Sequence, residues 1–244
     1  MTDLKQLGQD WDTFGKADPL WAVISWPEKR GGKWEKSDLY GLGQEEINEV
    51  LRAVRSLKLP LRTGKALDFG SGVGRLTESL AEHFGHVVGV DIAPSMVNFA
   101  RAHSRFPASV EYRLNTTGDL QQFPDNTFDF VLSKITLQHV PREFIPGYLC
   151  EFTRVLAPGG VLMFQLPSGT APTLKGMLWR VLPKWVLAEV LRLKNDLPVR
   201  MQMNTIPRAE VEQLLKAQGM TLMATDADTA AGPNWVSYRY IAIK

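Results

Sequence analysis

The sequence predicts an α/β fold, a doubly wound, mostly parallel sheet of seven strands, carried by a single domain. Two observations predict it. Between Lys65 and Leu166 short apolar runs alternate with stretches of helical periodicity, which is the rhythm of βαβ units. The first of these runs leads straight into a glycine-rich turn that opens a helix. The 244 residues suffice for one such domain with modest additions, and two independent cores would be a tight fit.

The elements follow in order. Lys65-Ala66-Leu67-Asp68-Phe69 is the first strand, and after the glycine turn Leu76, Leu80, Ala81 and Phe84 recur at helical spacing. The second strand is His86-Val87-Val88-Gly89-Val90-Asp91. Pro94-Ser95-Met96 starts a helix that carries Met96, Phe99, Ala100 and His103 on one face, and Val110 to Leu114 is the third strand. Phe128 to Leu132 is the fourth. A helix through Tyr148, Phe152 and Val155 ends at Pro158-Gly159-Gly160, where the chain turns into the fifth strand, Val161 to Gln165. These five strands fit one Rossmann-like sheet. Beyond them, Ala209 to Gln218 reads as a helix and Trp235 to Ile243 as the last strand, while a helix from Glu45 to Leu57 leads to Pro60 ahead of the core.

Composition narrows the function classes. Hydrophobic residues make up 44% and charged residues 22%, the balance of an ordinary globular protein. The net charge of +2 supplies no global field for nucleic-acid phosphates, which argues against a nucleic-acid partner. The N-terminus shows no secretory signal and no run of 18 apolar residues occurs, so a cytoplasmic location is expected. Cys150 is the one cysteine, and His83, His86, His103 and His139 show no metal-ligand spacing, so no metal site is expected.

Asp68-Phe69-Gly70-Ser71-Gly72-Val73-Gly74 carries the chemistry. Glycines at alternate positions leave no side chains between backbone and ligand, and the N-terminus of the following helix aims its amides at it. The spacing is G-x-G-x-G, not the G-x-G-x-x-G of dinucleotide enzymes, and Asp68 stands where a diphosphate would be repelled. The ligand should carry positive charge there. Asp91 ends the second strand 21 residues after Gly70, in position to accept the hydroxyls of a ribose. A cationic nucleoside suits both acids.

This combination resembles the class I S-adenosylmethionine-dependent methyltransferases over roughly the central hundred residues. The resemblance implies S-adenosylmethionine as cofactor and S-adenosylhomocysteine as product. It implies that Asp68, Gly70, Ser71, Gly72, Gly74 and Arg75 hold the methionine end, that Asp91 binds the ribose, and that Ile92 and Met96 flank the adenine. Asn115, Thr116, Thr117, Gly118, Asp119 and Leu120 look like the family's adenine-contacting loop, and Ser133, Lys134 and Ile135 like the border of the sulfonium side. Leu156-Ala157-Pro158-Gly159-Gly160 is similar to its turn into the fifth strand. The chain then divides into an N-terminal helical extension (1–60), a cofactor-binding core (61–167), an acceptor-side insertion (168–205) and a C-terminal helix and strands (206–244).

His139 follows the fourth strand, close to where an acceptor should approach, and is the candidate catalytic residue; a neutral imidazole there either deprotonates a hydroxyl or orients the adjoining helix. Transfer from a sulfonium demands chiefly alignment, so no acid–base pair is required. The N-terminal block Trp11 to Trp21 is a lid over the cofactor or a helix on the sheet edge, and related enzymes favour the lid. From Ser168 to Thr205 six basic residues outnumber two acids, interleaved with apolar ones, and 174–200 can cap an acceptor pocket, touch a membrane surface or form an oligomer contact.

The activity expected is methylation of a small-molecule, carbohydrate or lipid-linked acceptor, at oxygen before nitrogen or carbon. A silent cofactor-binding scaffold and an RNA methyltransferase are the alternatives, the latter needing a basic face that only 175–200 offers.

Overall fold

The computed structural model describes residues 4–173, 186, 189–190, 192–193, 197–199 and 201–244. The three readings of the basic stretch fall mostly on positions outside these residues.

Seven strands form one sheet: β1 (Lys65–Phe69), β2 (His86–Asp91), β3 (Val110–Leu114), β4 (Phe128–Ser133), β5 (Leu156–Thr170), β6 (Thr221–Asp228) and β7 (Trp235–Ile243), in the order β3-β2-β1-β4-β5-β7-β6. The first five run parallel, and β7 is antiparallel to both β5 and β6. This is the predicted fold class. The chain winds outward from β1 through β2 to β3 and then restarts at β4 on the other side, so the topological switch lies between β1 and β4, where ligands of such sheets bind.

Burial on both faces explains why the parallel strands read as near-continuous apolar runs. On one face Ala66, Val87, Phe130 and Leu132 pack against Ile47, Val50 and Val54 of α3 (Lys36–Ser56), Leu80 of α4 (Arg75–Leu80) and Val97 of α5 (Pro94–His103). On the other, Leu67, Val88, Val131 and Phe164 meet Tyr148, Leu149 and Phe152 of α6 (Ile145–Val155) and Val211 and Leu215 of α7 (Arg208–Ala217). Fully burying one such side chain is worth about 1.5–3 kcal/mol, so the two layers clamp the sheet from both sides.

A third cluster builds the cover over the carboxyl ends of the strands. Phe14 of α1 (Leu4–Ala17), Leu20 and Trp21 of α2 (Pro19–Val23), and Trp34 pack with Val73, Ala93 and Met96. The segment after α2 is pinned by its tryptophans: Trp21 Nε1 donates to Trp26 O at 2.8 Å and Trp34 Nε1 to Ile24 O at 3.0 Å. Asp18 fastens the same segment, accepting from Trp21 N through Oδ1 and from Gly31 N and Gly32 N through Oδ2.

Three boundaries differ from the sequence reading. The helix expected from Glu45 begins at Lys36, because Gly41 and Gly43 do not break it; a Cβ at Gly43 would lie 2.5 Å from Arg75 O, so that glycine marks the crossing of α3 over α4. β5 begins at Leu156 and takes Pro158-Gly159-Gly160 as an irregularity within the strand, then runs to Thr170 beside β7, so residues 168–170 belong to the sheet and not to an insertion. β6 is the strand whose position the sequence did not mark, an edge strand with no buried residue.

Candidate functional site

A cavity of about 730 Å³ opens at the switch between β1 and β4, within the ~300–1,000 Å³ range of small-molecule sites. Asp68 to Gly72, Arg75, Asp91, Ile92 and Met96 line it, with Asn115 just after β3 and Lys134, Ile135, Thr136, Gln138 and His139 just after β4. Leu4, Leu7 and Trp11 of α1 and the stretch Val23 to Trp26 close it from above, which places the N-terminal block as a cover over the site. Met201, Met203, Ala230, Ala231 and Trp235 form the far side, beyond β5.

The glycine loop is shaped by what crowds it. Gly72 has φ +53° and a Cβ there would stand 2.9 Å from Val23 Cγ2; at Gly70, with φ +82°, it would meet Thr136 Oγ1 at 2.1 Å. Both positions exclude side chains by backbone conformation and by space together. Asp91 fixes the loop: Oδ2 accepts from Gly72 N at 2.8 Å and Oδ1 from Ala93 N at 2.9 Å. Burial raises the pKa of Asp91, and those backbone amides oppose the rise. Asp68 is only 2% exposed. Burial pushes its pKa up to about 6, against the hydrogen bond from Thr77 Oγ1 at 2.7 Å and the nearby Arg75 charge.

A buried charge cluster lies beside them. Glu46 of α3 pairs with Arg75 at 2.5 Å and with Lys134. Burial opposes ionisation of Glu46, yet the two cations outweigh it and hold its pKa below the usual range. Among the described residues Ser71 Oγ and Arg75 Nε are buried without a hydrogen-bond partner. Such groups cost about 1–3 kcal/mol each when left so, and both belong to residues of the cavity wall. Two carboxylates, an anion–cation cluster, orphaned polar atoms and a side-chain-free cradle fit a cationic nucleoside with a zwitterionic amino-acid end.

The site thus gathers Asp68, Gly70, Ser71, Gly72, Arg75, Asp91, Ile92, Met96, Lys134 and His139. Gly74 faces the Tyr112 hydroxyl instead, and Ser133 is fully buried, off the cavity wall. Of the expected adenine loop, Thr116, Thr117, Gly118 and Asp119 are off the wall, whereas Asn115 is on it. The reason is local: Asn115 Nδ2 and Tyr148 Oη both donate to Thr117 O, at 3.2 and 2.6 Å, folding the loop back against α6. Asp12 and Asp18 serve helix ends: Asp12 accepts from Ser95 N at 2.8 Å, and Asp18 caps α2.

Sequence reasoning missed Glu46 and Tyr148, and no spacing signal marks them; Asn115 was the first residue of the expected adenine loop. Among the described residues no cluster of His, Cys, Asp or Glu is placed to hold a metal, and no helix is long and apolar enough to cross a membrane.

The strand order and a glycine loop between Asp68 and Asp91 define a class I methyltransferase fold. A family profile described as "Methyltransferase domain" matches residues 67–164, which is 98 of the 244 residues, so this part of the chain is similar to that domain. The chain is 39% identical over 124 residues to a demethylmenaquinone methyltransferase of Tropheryma whipplei (strain Twist), covering 49% of this chain and 50% of that one. It is 34% identical over 125 residues to a ubiquinone biosynthesis O-methyltransferase of Xanthomonas oryzae pv. oryzae (strain PXO99A), covering 51% and 52%. The chain spans about half the length of these relatives. The crystal structure of magnesium protoporphyrin IX methyltransferase from Synechocystis PCC 6803 with bound SAH superposes with a TM-score of 0.65 over 100% of both chains, at 18% identity, a likeness of fold.

Proposed function

We propose that the protein transfers the methyl group of S-adenosylmethionine to a hydroxyl on an apolar, ring-bearing small molecule of the quinone-precursor kind, including lipid-linked ones. The observation that carries this reading is the single cavity that joins Asp68, Asp91 and the glycine loop to a wall of Trp11, Val140, Met201, Met203 and Trp235. One end has the charges a cofactor needs. The other has aromatic and thioether surface suited to a flat apolar ring. The names of the two relatives point to the same acceptor class.

Asp91 accepts the ribose hydroxyls, and Asn115 offers an amide to the adenine. Glu46, Lys134 and Arg75 hold the amino-acid end, the acid taking the ammonium and the bases the carboxylate. Asp68 places a negative charge near the cationic part. Bound S-adenosylmethionine supplies an electrophilic methyl on a sulfonium. With it bound, the acceptor oxygen would take the methyl carbon, the carbon–sulfur electron pair would stay on sulfur, and the hydroxyl proton would pass to water. Glu45 and Glu49 are exposed side chains of the same cavity wall and mark its solvent edge. The protein's work is alignment and exclusion of bulk water.

The test is transfer of label from S-adenosyl-[methyl-³H]methionine to a prenylated catechol and to a reduced demethylmenaquinone. Label on the catechol oxygen supports the proposal, and label on a ring carbon moves the reaction to carbon. Cofactor binding with no transfer to either probe, or to any extract fraction, supports a silent scaffold instead.

A further inference from the structure

His139 closes the single helical turn Leu137–His139 that follows β4, and it is 7% exposed. Its Nδ1 stands 2.7 Å from Gln202 O. A carbonyl only accepts, so the ring proton is on Nδ1. Burial pushes the imidazole pKa down to about 4, and the ring is neutral at physiological pH. The remaining lone pair, on Nε2, faces Gln138 Nε2 at 3.1 Å and accepts from it. That amide is itself oriented, since Gln138 Oε1 accepts from Gln165 Nε2 at 3.3 Å. Gln165 also donates to Ser237 Oγ at 2.5 Å and accepts from Ile135 N at 3.2 Å. Proton direction therefore runs one way, from Gln165 through Gln138 to His139 and on to the Gln202 carbonyl. Neither ring nitrogen is left to take a proton from an acceptor.

Two neighbours of the imidazole, Gln202 and Trp11, belong to covers of the cavity. Gln202 lies between Met201 and Met203, which line the far wall. The same segment is tied again by Asn204, whose N donates to Gln138 O at 2.6 Å and whose Nδ2 donates to Val140 O at 3.0 Å. From the other side the Trp11 ring of α1 packs edge-on to the imidazole, with centroids 5.1 Å apart. One neutral side chain thus joins the N-terminal cover, the methionine wall and the end of β4.

We infer that His139 is a positioning residue: a neutral latch that holds Met201–Met203 and α1 against the core and so sets the shape of the acceptor half of the cavity, with no part in proton transfer. What the wall encloses rests on the proposed methyl transfer. The latch itself does not.

The experiment compares His139→Asn, His139→Gln and His139→Ala in the full chain. Asparagine places an amide donor near the position of Nδ1, glutamine places it near Nε2, and alanine removes it. Hydrogen exchange read by mass spectrometry should be about tenfold faster over residues 201–206 and 4–17 in the alanine and glutamine variants, as loss of one net hydrogen bond implies, while asparagine restores protection to within about threefold of wild type. With the prenylated catechol as probe, KM should rise more in the glutamine than in the asparagine variant. The pH profile of kcat in the asparagine variant should keep its wild-type shape. The latch is overturned if all three variants exchange like wild type, or if asparagine fails with alanine and the kcat profile loses a limb near neutrality. A wild type inert toward the probe counts against the proposed acceptor, and the exchange result still decides the latch.

Discussion

Asp91 and Gly72 hold each other in place: the carboxylate that ends β2 accepts the amide at the centre of the glycine loop at 2.8 Å, while its other oxygen accepts from Ala93 at the start of α5. One acid therefore shapes the loop as well as offering charge to a ligand.

Asp91→Ala removes both roles. S-adenosylhomocysteine should bind more weakly by about 1.5–3 kcal/mol or more, the range for hydrogen bonds to a charged group. Isothermal titration measures it, and an unchanged dissociation constant would remove Asp91 from the site.

Gly72→Val forces a β-branched residue to φ +53° and drives its Cβ into Val23. Such a backbone costs about 1–3 kcal/mol before any clash. Cofactor binding should be lost, and the melting temperature should fall with it. Normal binding would place the loop away from the ligand.

Lys134→Met tests the amino-acid end. Glu46 keeps Arg75 as partner, so the fold should survive. Affinity for S-adenosylhomocysteine should fall roughly 10- to 100-fold, while 5′-methylthioadenosine, which lacks the amino-acid end, binds as before. Equal losses for both ligands would mean a general distortion.

Asp68 gives a pH dependence with a definite sign. Its folded pKa of about 6 lies above the ordinary carboxylate value, chiefly through burial, with Arg75 lowering it and Asp91 and Glu46 raising it. The neutral form is the one the fold prefers. Its contribution to stability is complete below about pH 4 and is lost as pH rises through about 6. A cationic ligand needs the ionised form, so affinity should fall roughly tenfold between pH 7 and pH 5. Asp68→Asn should bind weakly without that slope, yet melt no lower than wild type at pH 7.5. A wild-type affinity flat across this range would contradict the assignment.

Much of the fold was legible because of where its residues sit. Val87, Val90, Phe130 and Val131 are buried between two helical layers and read as strands without ambiguity. β6 has no such signature: at the sheet edge Thr221, Met223 and Asp226 alternate with half-buried neighbours and look like loop. Gly41 and Gly43 disguised the first turns of α3, since a glycine needed for helix crossing is spelled like one that ends a helix.

The site divided along the same line. Asp68, Gly70, Gly72 and Asp91 sit at fixed offsets from strand ends, so spacing reveals them. Glu46 stands beside Glu45 and close to Glu49 with nothing in the spacing to distinguish it; only the packing of α3 against Arg75 and Lys134 does so. In the loop after β3 a local bond from Asn115 and a tertiary bond from Tyr148 meet at Thr117 O, and the second, 31 residues away, has no signal in the local sequence.

Thermal unfolding with and without S-adenosylhomocysteine tests the central claim, that this cavity is a cofactor site, most directly. At a hundredfold excess over its dissociation constant the ligand should add about 2.7 kcal/mol, roughly 5–11 °C for a domain of this size, with no shift for NAD. No shift with S-adenosylhomocysteine, or an equal one with NAD, would contradict the account.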